Sequence, residues 1–268
     1  MTRRECFLLT PLTVAAFAFA QETTPVPKGW LVLHGGWILS PVMTKKFAAL
    51  AGLPDAPVIV IPTAEVPNHM SEKDAEREKD VMARFFGAKN VIVLHAKDRK
   101  QADSEAFVQP LRQANAVWIE GGKTATLARY VGTRTESELR ALYARGGVVG
   151  GTSAGALILG SFKMRLPQSL RPNGGRPGQD EIGLGLVRDT VILPHFSQWH
   201  RTEQMSKVVA AHPTLLGLGI DEDTGVVVHE GVLEVLGPKS ARIFLAGAKG
   251  EVTLGPGEKY DLQARARR

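Results

Sequence analysis

Residues 147–159 read Gly-Val-Val-Gly-Gly-Thr-Ser-Ala-Gly-Ala-Leu-Ile-Leu: an apolar extended run, a serine framed by glycines, then a helical start. Gly151-Thr152-Ser153-Ala154-Gly155 fits G-x-S-x-G, in which a sharp strand-to-helix turn lifts a serine hydroxyl above the carboxyl ends of a parallel sheet. Ser153 is therefore the candidate nucleophile. The Ala154 amide, at a helix N-terminus, is a candidate donor to an oxyanion.

A serine hydroxyl is a poor nucleophile at neutral pH unless a base lies within hydrogen-bonding reach. His195 follows the predicted strand Thr190–Leu193, which puts it at the end of what reads as the neighbouring strand. His34 and His95 also end strands and are secondary candidates, whereas His69, His200, His212 and His229 read as surface or turn residues. A third group should orient the imidazole. Between Ser153 and His195 the acids are Asp180, Glu181 and Asp189; Asp180 and Glu181 lie in a long loop able to fold over the site, and Glu181 is the choice.

Ile119-Glu120-Gly121-Gly122-Lys123-Thr124 ends another strand with two glycines, a turn that lets backbone approach a ligand and makes Gly122 the second candidate oxyanion donor. Lys123 and Arg201 are candidate partners for a substrate carboxylate. No two of the seven histidines have zinc-site spacing, and the one cysteine is Cys6, so no metal and no cofactor is expected.

Elements of a particular kind must position these groups. Short apolar runs at Leu31-Val32-Leu33, Val58–Ile61, Val91–Leu94, Ala116–Ile119 and Val148-Val149 have the continuous hydrophobicity of strands buried on both faces. Between them, Lys45–Ala51, Ser71–Phe86, Ser104–Ala114, Thr124–Val131 and Glu136–Ala144 carry helical spacing, with Ser71 and Asp74 placed as a capping box. The expected fold is α/β: a three-layer αβα sandwich with a mostly parallel central sheet and right-handed crossovers. Residues 163–185 read as an exposed loop rich in proline and glycine, and Val226–Val228, Leu233–Leu236 and Ile243–Leu245 as short antiparallel strands at the far edge.

A chain of 268 residues, 44% of them hydrophobic, can bury one sizeable core, so residues 30–268 are expected to form a single domain. Residues 1–20 have a basic start at Arg3-Arg4, an apolar stretch from Phe7 and small residues before Gln21, the layout of a secretory signal peptide; residues 21–29 read as a flexible lead-in. Export is the expectation, with no stable membrane insertion after removal of the leader. Losing Arg3, Arg4 and Glu5 takes the formal charge from +6 to +5, and without basic blocks interleaved with aromatics no nucleic-acid partner is expected.

From Leu31 to Leu245 the chain resembles the cyanophycinase and peptidase E family of serine peptidases. The resemblance is carried by Val60-Ile61-Pro62-Thr63-Ala64, Glu120-Gly121-Gly122, Gly151–Ala156, His195-Phe196-Ser197-Gln198 and Gly219-Ile220-Asp221-Glu222-Asp223-Thr224. It implies a fold similar to class I glutamine amidotransferases, commonly a homodimer, and a serine-histidine-acid apparatus cutting bonds beside aspartyl residues. The implied substrates are the aspartate-arginine polymer cyanophycin or aspartyl and β-aspartyl dipeptides. Ser153 would be the nucleophile, His195 the base, and Gly122 and Ala154 the oxyanion hole. Lys123, Thr124, Gln198 and Arg201 are the candidate substrate-binding residues. The chain departs from cyanophycinase at Leu193-Pro194, at Trp199, where that enzyme has arginine, and at Lys123-Thr124. Two alternatives stay open: an α/β-hydrolase esterase, for which the 42-residue separation of Ser153 and His195 is short, and a binding protein that has lost catalysis.

Overall fold

The computed structural model describes residues 26–37, 40–66, 69–162, 182–247 and 250–268. The expected leader at 1–20, and Asp180 and Glu181 in the long loop, lie outside the described residues.

The first half of the chain alternates strands and helices: β1 (Trp30–His34), α1 (Pro41–Ala51), β2 (Val58–Ile61), α2 (Glu72–Phe86), β3 (Val91–Val93), α3 (Arg99–Ala102), α4 (Glu105–Val108), β4 (Ala116–Ile119), α5 (Thr124–Leu127), α6 (Arg134–Ala144), β5 (Val148–Thr152) and α7 (Ala154–Leu157). Local chemistry sets several boundaries. The Ser71 hydroxyl accepts the Asp74 N–H while the Asp74 carboxylate accepts the Ser71 N–H, the expected capping box, and Gly87 ends α2 at φ +66°. The strands β1, β5, β4, β2 and β3 pair in parallel in that order, forming the central part of a nine-stranded sheet.

The second half adds β6 (Gly160–Phe162), β7 (Val187–Pro194), α8 (Thr202–Ala211), β8 (Leu216–Ile220), β9 (Gly225–His229), β10 (Val232–Leu236), β11 (Ala241–Phe244), β12 (Glu251–Leu254), β13 (Lys259–Asp261) and β14 (Ala266–Arg267). Two features correct the expectations from sequence. β9 is not at the far edge: it pairs antiparallel with β1 inside the large sheet, extended outward by β10, β13 and β14. β7 is not a neighbour of β5 either. It lies in a second sheet of order β12-β11-β8-β7-β6, in which β6, β7 and β8 are parallel. Hydrophobic periodicity is the same in both sheets, so it marks strands without saying which sheet they join.

Alternating residues of the central strands feed two cores. Val32, Val58, Val60 and Trp118 pack under α1 and α2 against Met43, Phe47, Met82 and Phe86. Leu31, Leu33, Ile59, Ile61 and Ile119 face the other way, onto α4, α6 and the second sheet. A third cluster, with Leu193, Phe196, Met205 and Phe244, joins the second sheet to α8. The layered α/β expectation holds, with the second sheet forming part of the third layer. Its consequence for the site is that the carboxyl ends of β5 and β7 arrive at the same place from different sheets.

Candidate active site

β5 delivers Ser153 through a turn that only glycines permit. A Cβ on Gly151 would lie 2.6 Å from the carbonyl carbon of Gly155, and one on Gly155 would lie 2.0 Å from the Ile119 oxygen. Ser153 itself adopts φ +51°, an uncommon backbone state for a residue with a side chain. The turn is held by the Ser153 N–H donating to the His34 carbonyl and by the Leu157 N–H returning to the Ser153 carbonyl. Ala154, the first residue of α7, has an N–H with no intrahelical acceptor.

The structure brings Ser153 and His195 together: Ser153 Oγ is 2.9 Å from His195 Nε2. His195 follows β7 with φ +53°, and its N–H donates to the Gly35 carbonyl at 2.8 Å, so the turn after β1 tethers the histidine to the sheet that carries the serine. Gly36 packs so tightly on the imidazole that a Cβ there would fall 2.2 Å from Cε1, and its φ is +103°.

The carboxylate on the other imidazole nitrogen is Glu222, whose Oε1 is 2.7 Å from His195 Nδ1. Glu181, the choice from sequence, is outside the described residues, and among the described residues Glu222 is the carboxylate in contact with Nδ1. The reason is the pairing of β7 with β8 in parallel register, Pro194 opposite Ile220, which makes the residues just beyond both strands neighbours. When the carboxylate is ionised it can only accept, and in that state the proton sits on Nδ1 and Nε2 offers its lone pair to the serine O–H.

Around this pair the two strand-end turns are locked together. Buried Asp221 accepts the Ser197 N–H at 3.0 Å and the Ser240 hydroxyl at 2.8 Å. Gln198 Oε1 accepts the Glu222 N–H at 3.0 Å, so Gln198 fixes the acid's backbone. Arg201 is buried, and burial pulls its guanidinium down to about 10. It lies over the exposed Trp199 ring, 4.5 Å from the centroid, and that indole stacks on His195.

On the opposite flank the Gly121-Gly122 turn approaches Ser153, a Cβ on Gly121 falling 3.1 Å from Ser153 Cβ. Gly122 adopts φ +125° against the Ala64 carbonyl, which also accepts the Lys123 N–H at 2.8 Å. Lys123 is exposed and Thr124 begins α5. Glu120, just before this turn, is pushed up to about 8 by burial and by Glu78 and Glu65.

The two secondary histidines have structural places. His34 is fully buried, and burial lowers it to about 4. Its Nδ1 accepts the Gly36 N–H at 3.3 Å and the Thr152 hydroxyl at 2.9 Å, which ties the serine turn to the glycine that packs on His195. His95 Nδ1 is 3.2 Å from Thr63 Oγ1, which in turn contacts the Tyr130 hydroxyl. Among the described residues no group of three or more histidines, cysteines and acids is arranged to hold a metal, and no helix is long and apolar enough to cross a membrane.

Residues 40–236 match the model of peptidase family S51. The cyanophycinase of Nostoc sp. (strain PCC 7120) is 31% identical over 225 residues, 79% of this chain and 69% of that protein. The cyanophycinase of Geminocystis herdmanii is 27% identical over 237 residues, 84% of this chain and 77% of that protein. Among solved structures, a peptidase from an acI-B1 Actinobacterium superposes with a TM-score of 0.69 at 23% identity, over 88% of this chain and 98% of that one, which speaks for the shared fold.

Proposed function

The chain belongs to peptidase family S51 and is a serine-type peptidase, and from that premise we propose that it hydrolyses peptide or isopeptide bonds at aspartyl residues through an acyl-enzyme formed on Ser153. The observation that carries this reading is the continuous array from Ser153 Oγ to His195 Nε2 at 2.9 Å and from His195 Nδ1 to Glu222 Oε1 at 2.7 Å.

In the first step His195 Nε2 takes the hydroxyl proton as Ser153 Oγ adds to the amide carbonyl. Glu222 holds the imidazole in the receptive tautomer and stabilises the imidazolium that forms. The oxyanion is received by the Ala154 and Gly122 amides. His195 then passes its proton to the departing amine, the C–N bond breaks and the acyl group remains on Ser153. Water, deprotonated by the same nitrogen, attacks the ester, and the carboxylic acid product leaves with the serine restored. A complete array favours a working enzyme over a binding protein that has lost catalysis.

Aspartyl specificity rests on the likeness to cyanophycinases, and Lys123, Thr124, Gln198 and Arg201 are the residues proposed to read the substrate. Gln198 would do so through its amide nitrogen, because its oxygen already holds Glu222. We also propose export, on the pattern of residues 1–20, and a homodimer; cell fractionation and size-exclusion chromatography with light scattering test these two. The substrate is tested by incubating the protein with cyanophycin and with aspartyl and β-aspartyl dipeptides and identifying products by mass spectrometry. Cleavage next to aspartate that Ser153→Ala abolishes is the expected result; cleavage that survives in that variant would overturn the reading.

A further inference from the structure

Two hydrogen bonds, from Ser153 to Nε2 and from Nδ1 to Glu222, hold His195 along one line through its ring. Hydrogen bonds tolerate some out-of-plane bending, and a tilted ring aims its lone pair away from the serine oxygen. Proton transfer is sensitive to such aim. Trp199 adds to the restraint that the packing of Gly36 gives this ring. Its indole lies parallel to the imidazole, with ring centroids 4.3 Å apart and planes within 6°. The turn between them is short and closed, since the Trp199 N–H donates to the His195 carbonyl at 3.0 Å. Arg201, buried and 4.5 Å from the indole centroid, fixes the tryptophan in turn.

Trp199 is nonetheless 57% exposed, so burial of its own surface does not explain where it sits. We propose that Trp199 is a positioning residue of the active site, whose stacked indole sets the plane of the His195 imidazole for proton transfer. The proposal rests on His195 acting as the base for Ser153, and its test separates the two. A second tryptophan-histidine stack serves as an internal control: Trp30 and His229 lie 3.7 Å apart with planes within 6° and include neither Ser153 nor His195.

The test uses the full chain with Trp199→Phe, Trp199→Leu and Trp199→Ala, and a short-chain fluorophosphonate that phosphonylates activated serines. The maximal rate of Ser153 labelling and the half-saturating probe concentration are measured separately. The imidazole Cε1 proton of His195 is followed by NMR, assigned through its loss in His195→Ala. A stacked ring pair supports a loss of about three- to tenfold in the maximal rate for the Ala and Leu variants, with the half-saturating concentration unchanged and Phe within about twofold of wild type. The His195 signal should move downfield in Ala and Leu as the indole ring current is lost, while that of His229 stays in place. Three results would overturn the proposal: an Ala variant labelled at the wild-type rate, Leu rescuing as well as Phe, or a change confined to the half-saturating concentration. If Trp199→Ala does not fold, the contrast between Phe and Leu decides in the same way. Wild-type protein that folds but is not labelled at Ser153 would instead refute the role of His195 as base.

Discussion

Glu222 and His195 meet across the ends of two parallel strands of the second sheet, with 2.7 Å between Oε1 and Nδ1. The contact gives the imidazole a fixed tautomer and a counter-charge, and neither survives replacement of the carboxylate by an amide. Glu222→Gln is expected to lower kcat by about 10³- to 10⁴-fold, with much less effect on KM and with the fold retained. Steady-state kinetics on the aspartyl peptide turned over by wild type, with circular dichroism as the fold check, measures this. A loss under tenfold would mean that another group orients His195.

Gly36 packs on the same imidazole, and a methyl group there would meet Cε1 at 2.2 Å. Gly36→Ala is therefore expected to push the ring out of line with Ser153 and to cost at least about 10²-fold in kcat. Its φ of +103° adds strain of about 1–3 kcal/mol, read as a lower midpoint in urea unfolding. Wild-type turnover in this variant would mean that the ring has room the structure does not show.

Asp221 accepts from the Ser197 N–H and from the Ser240 hydroxyl while itself buried. Asp221→Ala leaves both donors without their acceptor, and a stability loss of about 2–4 kcal/mol is expected from chemical denaturation. Activity should fall with it, because the turn after β7 and the turn after β8 lose the group that joins them.

A buried histidine and a half-buried glutamate make stability depend on pH in opposite directions. Folded His34 stays neutral down to about 4, whereas the unfolded chain takes a proton near 6.5; in between the unfolded state holds more protons, so stability falls as pH drops through that interval. Folded Glu120 keeps its proton up to about 8, against 4.5 when unfolded, so it lowers stability as pH rises from 4.5 towards 8. Thermal unfolding followed from pH 4 to 9 should show His34→Asn flattening the acid side and Glu120→Gln raising Tm on the alkaline side. Unchanged slopes in either variant would mean that the corresponding group does not titrate in that way.

The site is legible in the sequence wherever its geometry is local. The glycines around Ser153 announce a tight strand-to-helix turn, because the backbone leaves no room for a Cβ at 151 or 155. His195 is readable as the residue ending an apolar strand. Glu222 is not, because its nearness to His195 comes from the register of β7 on β8, a pairing between segments about 25 residues apart that no local window contains. The signal available is Gly219–Thr224, an acidic run directly after a strand and one of the stretches that carry the family resemblance. The main parallel sheet is likewise clear from its apolar runs. The placement of β7 in a second sheet and of β9 beside β1 is not, since both are choices among strands of equal hydropathy.

The most direct test of an activated Ser153 needs no knowledge of the substrate. Folded protein is treated with a fluorophosphonate and its intact mass and peptide map are recorded. A single adduct on Ser153 is expected, absent in Ser153→Ala and formed at least about 10²-fold more slowly in His195→Ala. A folded wild-type protein that takes no adduct, or an adduct on Ser153 that forms as fast without His195, would contradict the assignment of Ser153 and His195 as nucleophile and base.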